Sequence, residues 1–346
     1  MTLSLENLQS RRVDPDKPLL EVDDLVMHYR IKAGEVSAVD NVGFTIHQGE
    51  AVGLVGESGC GKTSTALALL RLLPANAEYI SGEVRLNGED LLRLSEEGMR
   101  ARRWKDIAMV FQGAMNSWNP VYRVGDQIRE VLDTHYRGAM DIEEQNVHIE
   151  RLFASVGLPA EMVDRYPHEF SGGMRQRAVI AMALACSPEL IIADEPTTAL
   201  DVIVQDQILK ELKRIQAEMG MSILYISHDI AVIAEVTDSL GVMYAGKLVE
   251  YGPTSEVFAR PRHPYAYLLL RSTPSITGPR RQLAPLGGEP PDLLNPPSGC
   301  RFHPRCPFAT EKCVVEEPPL AEISEGHRVA CWNYEDVPEL EVELVR

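Results

Sequence analysis

AVGLVGESGCGKTSTALALLRLL (51–73) reads as a buried strand, a glycine-rich turn and a helix in immediate succession. Within it, Gly56 to Thr63 fits G-x-x-x-x-G-K-[ST], in the strand-then-helix setting that a phosphate-binding loop requires. The glycines let successive backbone N–H groups converge on phosphate oxygens. The start of the helix adds the positive end of its dipole. Lys62 supplies a mobile positive charge, and the Thr63 hydroxyl suits Mg2+. The phosphate-contacting set expected here is Ser58, Gly59, Cys60, Gly61, Lys62, Thr63 and Ser64. Cys60 occupies a variable position and is expected to be a spectator rather than a redox switch.

Such a loop needs an acidic partner for its metal, and LIIADEP (190–196) provides one. Four apolar residues make a buried strand that ends at Asp194, at the edge where open α/β sheets place their ligands. Successive strand residues point to opposite sides, so Asp194 and Glu195 can take different tasks. Asp194 is the expected Mg2+ partner, acting through water. Glu195 is the expected general base for an attacking water.

Further apolar runs, IAMVFQ (107–112) and SILYISHD (222–229), extend a parallel, doubly covered sheet. SGEVRLNGEDL (81–91) alternates as a strand, and VMYAGKLVEYG (242–252) reads as a hairpin turning at Ala245-Gly246. Between Gly113 and Pro167 the chain is strand-poor and helical. The expected domains are therefore a polar tail over 1–18, an α/β domain over 19–258 with a helical insertion at 113–167, and an extension over 259–346. Recurrent prolines mark that extension as irregular. PELEVELV (338–345) is its one expected strand.

The chain has 346 residues, 45% hydrophobic and 25% charged, with a formal net charge of −17. That balance argues against a nucleic-acid footprint, which would need a basic face. No apolar run reaches the roughly 18–20 residues needed to span a bilayer. The N-terminus lacks the basic and apolar regions of a signal peptide, so an intracellular chain is expected. There thiols stay reduced. Yet four of the six cysteines, Cys300, Cys306, Cys313 and Cys331, crowd into the extension, which favours a metal site over disulfides. Four thiolates suit a [4Fe–4S] cluster or a four-cysteine zinc site. The intervals of 5, 6 and 17 residues lack the closely spaced cysteine pair usual for zinc. His303 and His327 stand nearby as competing ligands.

FSGGMRQRAVIAMALA (170–185) is the most specific stretch in the chain. Ser171 can cap a helix whose first turn, Gly172 and Gly173, offers backbone N–H groups to an anion. Val179, Met182, Ala183 and Cys186 then follow helical spacing on a buried face. These residues resemble the ABC transporter ATPases, whose signature is built as SGG-x-[RQ]-Q. The resemblance implies an ATPase with a RecA-like core, an antiparallel β subdomain and a helical subdomain, the signature of one chain facing ATP held by a partner. It also implies roles for Tyr29 against adenine, for Gln112 in sensing Mg2+ and water, for Thr198-Ala199-Leu200-Asp201 as a turn touching the partner domain, and for His228 at the γ-phosphate.

Three stretches narrow the resemblance to the dipeptide/oligopeptide importer branch and its D-type subunit: FQGAMNSWNPVYRVGDQI (111–128), PRHPYAYLLLRSTP (261–274), and GCRFHPRCPFATEKC (299–313) with Cys331-Trp332. The branch implies that the four cysteines hold an iron–sulfur cluster. Its expected partners are a homologous second ATPase, two membrane permease subunits and an extracellular substrate-binding protein, with the chain peripheral on the cytoplasmic face. Residues 113–126, with Trp118 and Tyr122 read as exposed, are the expected docking surface for a membrane-subunit helix. A soluble ABC mechanoenzyme acting on ribosomes or DNA is the alternative; one phosphate loop, no heptads and no basic stripe weigh against it. A non-hydrolysing redox sensor would need damage at Asp194, Glu195 or His228, and all are present.

Overall fold

The structure is a computed structural model and describes residues 11–272 and 286–340. By compactness the described residues divide into two units: residues 11–17, 47–49 and 94–224 in one, and 18–46, 50–93, 225–272 and 286–340 in the other.

In chain order the elements are β1 (Pro18–Ile31), β2 (Gly34–His47), β3 (Ala51–Val55), α1 (Lys62–Leu69), β4 (Ala77–Leu86) and β5 (Glu89–Asp90). There follow α2 (Glu96–Arg102), β6 (Ile107–Val110), α3 (Val124–Tyr136), α4 (Ile142–Ser155), α5 (Gly172–Leu184), β7 (Leu190–Asp194) and α6 (Val202–Met219). The rest comprises β8 (Ser222–Ser227), α7 (Ile230–Ala234), β9 (Ser239–Tyr244), β10 (Lys247–Pro253), α8 (Thr254–Ala259) and α9 (Pro264–Ser272). The extension adds α10 (Glu311–Val315), β11 (Ala321–Ser324) and β12 (His327–Val329).

In the first unit, β6 and β7 pair in parallel from Ile107 opposite Leu190 to Val110 opposite Ala193. Every residue of β7 is buried, as a continuous apolar run demands. Among the described residues 113–167 carry helix and 3-10 turns but no strand. Asp141 and Glu144 close a capping box at the start of α4. His148 is buried, its Nε2 2.8 Å from the carbonyl of Ala185, and burial lowers its pKa. Residues 11–17 are not a loose tail. Arg11 donates to the carbonyls of Pro188 and Ser187 at 2.9 and 2.6 Å, in the loop between α5 and β7.

In the second unit one antiparallel sheet runs in the order β2-β1-β4-β5. β1 and β4 pair from Leu20 opposite Leu86 to Tyr29 opposite Ala77, with a bulge after Asp23. Its other strands run β11-β12-β10-β9-β3. β3 lies parallel to β9; β9 and β10 form the hairpin expected at Ala245-Gly246, with Ala245 at φ 50°.

The extension is more regular than its prolines suggest. β12 pairs with β10, and β11 with β12. Strands of four and three residues carry too little alternation to be read from sequence. Of the strand expected at 338–345, residues 338–340 are not in a strand and 341–345 lie outside the described residues. Glu250 on β10 anchors this region. Its carboxylate is fully buried and accepts from the N–H groups of Arg262 and His263 and from His327 Nε2, each at 2.8 Å. Beside it Tyr244, Tyr265, Phe302 and His263 form an aromatic cluster, with centroid separations of 4.6 Å for Tyr244–Tyr265 and 5.1 Å for Tyr244–Phe302. One strand, the linker to α9 and the extension thus share a single core.

Replacing Glu250 with alanine would strand three donors at once, two of them buried. The expected cost is about 3–5 kcal/mol, the range for removing one side of a buried charged pair. Urea unfolding followed by tryptophan fluorescence measures it; an unchanged midpoint would show that this carboxylate does not organise the extension.

Candidate nucleotide and cysteine sites

The phosphate loop is shaped by what crowds it. Gly56 and Gly61 lie at φ 153° and 109°, and a Cβ would come within 2.2 Å of the Met243 carbonyl at the first and 2.3 Å of the Ala38 carbonyl at the second. Only glycine fits both places. Ser58, Gly59 and Thr63 are exposed, while Cys60 is buried and its thiol pKa is raised by that burial. Lys62 is 5% exposed, and its Nζ donates to the carbonyls of Gly56 at 2.7 Å and Glu57 at 3.0 Å. Tyr29 belongs to this group through its hydroxyl, 3.1 Å from Ser64 Oγ. His228 is exposed immediately after β8 in the same unit.

In the other unit Asp194 ends β7, buried. Glu195 follows with φ 47°, a left-handed conformation that costs a non-glycine residue about 1–3 kcal/mol and is typical of functional sites. Its Oε2 accepts from Gln112 Nε2 at 2.7 Å and from Thr198 Oγ1 at 2.9 Å. Gln112 and Glu195 are thus brought together from distant parts of the chain. Sequence marks Thr198 only as part of a partner-facing turn, and Asp201 in that turn caps α6 by accepting from the Val204 N–H.

Ser171 Oγ accepts from Met174 N–H at 3.3 Å and starts α5, leaving Gly172 and Gly173 partly exposed. A Cβ on Gly173 would lie 2.7 Å from Val204. Cys186 is core, with its thiol pushed up to about 12 by burial. Trp118 is not exposed. It is 6% accessible and its indole N–H donates to the Arg175 carbonyl at 3.4 Å, because a large ring with one donor is best satisfied inside. Tyr122 is 57% exposed, with Phe111 and Val121 also open.

All six cysteines are free. Cys300, Cys306, Cys313 and Cys331 line one small cavity with His263, His303, Trp332 and Asn333. The Asn333 backbone N–H points at Cys331 Sγ at 3.4 Å, and its side-chain amide at Cys313 Sγ at 3.7 Å. Burial raises the Cys300 thiol and pushes those of Cys306 and Cys331 up to about 11 and about 12. Among the described residues no three His, Cys, Asp or Glu side chains converge tightly enough to hold one metal ion. His327, a competing ligand by sequence, pairs with Glu250 and does not line the cavity. Glu57, Tyr265 and Arg305 lie in three separate stretches that sequence reading gave no individual role, and only the fold shows that they meet.

Among the described residues no helix is long and apolar enough to cross a membrane. Residues 39–198 match the ABC transporter family and residues 249–313 the C-terminal region of the oligopeptide/dipeptide transporter family. The oligopeptide transport ATP-binding protein OppD of Bacillus subtilis is 44% identical, over 93% of this chain and 91% of its own. The dipeptide transport ATP-binding protein DppD of Escherichia coli is 43% identical, over 90% of this chain and 96% of its own. Among solved structures, a dimeric ATP-binding cassette in a post-hydrolysis state with ADP and Pi aligns over 68% of this chain and 98% of its own, with 27% identity and a TM-score of 0.61. The chain belongs to the ATP-binding proteins of the ABC transporters, in the branch that carries the oligopeptide/dipeptide transporter C-terminal region.

Proposed function

We propose that this chain is the ATP-hydrolysing subunit of an importer of peptides, working on the cytoplasmic face of the membrane. Glu195 carries the reading. It is a carboxylate in a strained backbone conformation, held by Gln112 and Thr198 at the end of a buried strand, in a family that hydrolyses ATP. Glu195 orients the attacking water and takes its proton as the oxygen bonds to the γ-phosphorus and the β–γ bridge breaks. The loop amides and Lys62 hold the phosphates, Tyr29 the adenine, and His228 the γ-phosphate. Thr63, Asp194 and Gln112 are assigned toward Mg2+, which neutralises phosphate charge when bound. Ser171, Gly172 and Gly173 present their N–H groups to ATP on a second ATPase subunit.

The remaining partners are two permease subunits and an extracellular binding protein, as the peptide-transport names of the relatives suggest. Exposed Phe111, Val121 and Tyr122 supply the docking patch. The four cysteines suit a [4Fe–4S] cluster better than zinc. A zinc ion needs all four sulfurs about 2.3 Å from one point, whereas a cubane spreads its ligands over separate irons. The N–H groups aimed at Cys313 and Cys331 suit sulfurs that carry charge when metal is bound.

Glu195→Gln is expected to retain ATP binding and lose about 10²–10⁴ in hydrolysis rate, while Lys62→Ala weakens binding itself. Steady-state turnover and nucleotide titration separate the two; a Glu195→Gln complex within twofold of wild type removes the base from this residue. Val121→Glu with Tyr122→Glu is expected to block assembly with the permeases and spare nucleotide binding. Crosslinks from the permeases to residues 286–340 instead would move the docking surface. Protein purified without oxygen is expected to contain about four irons per chain, lost in Cys306→Ser; one zinc and no iron would overturn the cluster.

A further inference from the structure

Glu57 is an acidic residue inside a loop assigned to a polyanion. Its carboxylate would repel phosphate, and it belongs to the residue whose backbone carbonyl Lys62 Nζ already contacts at 3.0 Å. The structure neutralises it from the extension. Arg305 Nη1 and Nη2 donate to Glu57 Oε2 and Oε1 at 2.7 and 3.0 Å, a two-pronged pairing that fixes direction as well as charge. The Tyr265 hydroxyl meanwhile accepts the Glu57 backbone N–H at 2.8 Å.

Arg305 is itself held rigidly. Its side chain is 6% exposed, its Nε donates to the Gly287 carbonyl at 2.9 Å and its Nη1 to the Tyr244 hydroxyl at 3.2 Å. The guanidinium lies 5.6 Å from the Tyr244 ring centroid. Four residues before it, Arg301 is fastened to Asp40 and the Ala245 carbonyl; Phe302 between them is in the aromatic cluster. The next residue is Cys306, on the wall of the cysteine cavity.

We propose that Arg305 is a positioning residue of the nucleotide site, by which the extension sets the affinity of the phosphate loop for ATP. It draws the Glu57 carboxylate away from the phosphates and leaves Lys62 free to turn from the loop carbonyls to the ligand. The order of the cysteine-bearing segment is thereby coupled to nucleotide binding. This inference rests on the assignment of residues 56–63 as the nucleotide site.

The test is a binding titration of a fluorescent ATP analogue with Mg2+ on the full chain, with a melting curve for each variant. Arg305→Ala is expected to weaken binding by about 10- to 100-fold, the range of a hydrogen-bonded charge pair. Arg305→Ala combined with Glu57→Gln is expected to bind within about threefold of wild type, because the unpaired carboxylate is gone even though the fork is still missing. A purely structural arginine would leave the double variant as weak as the single one, and that result overturns the proposal, as does unchanged binding in Arg305→Ala. If Arg305→Ala does not fold, Arg305→Lys with and without Glu57→Gln gives the same comparison, since lysine keeps charge but not the fork. Lys62→Ala is the control: wild-type affinity in that variant would fault the site assignment, not the role of Arg305.

Discussion

Backbone must come close to backbone at Gly56 and Gly61, and the nucleotide unit is arranged around that constraint. The carbonyls of Met243 and Ala38 stand where side chains would otherwise be, so β9 and the strand containing Ala38 form the outer wall of the loop. Within the loop, Lys62 folds over the carbonyls of Gly56 and Glu57. The shape is therefore held by elements distant in sequence, while the motif itself is eight consecutive residues, Gly56 to Thr63.

The same unit shows how a proline-rich extension with few regular elements stays ordered. Its support is one buried carboxylate with three donors, a short strand joined to β10 and a second joined to that strand, and rings packed on Tyr244. Buried charge is costly unless fully paired, and Glu250 meets that condition with groups from β12 and from the linker before α9. The phosphate loop and the cysteine cavity are both built on this core, through Tyr265 and Arg305 on one side and Phe302 and His263 on the other.

In the other unit the comparable device is local strain. Glu195 is held at φ 47° while Gln112 and Thr198 both donate to one of its oxygens. Neighbouring side chains thus hold the carboxylate that the sequence marks as base.

Local grammar made most of this chain legible. The phosphate loop, the strand ending at Asp194, the helix capped by Ser171 and the hairpin at Ala245-Gly246 are written in consecutive residues, because turn, cap and periodicity are short-range properties. The four cysteines were visible as a group for the same reason. What sequence could not decide depends on which distant residues meet. The burial of Trp118, the anchoring of Arg11, the pairing of His327 with Glu250, and β12 joining β10 all follow from neighbours far along the chain. The Arg305 clamp on Glu57 joins residues 248 positions apart. No periodicity or spacing carries such a contact; only packing, which satisfies each buried charge and donor with whatever the fold brings beside it, determines it.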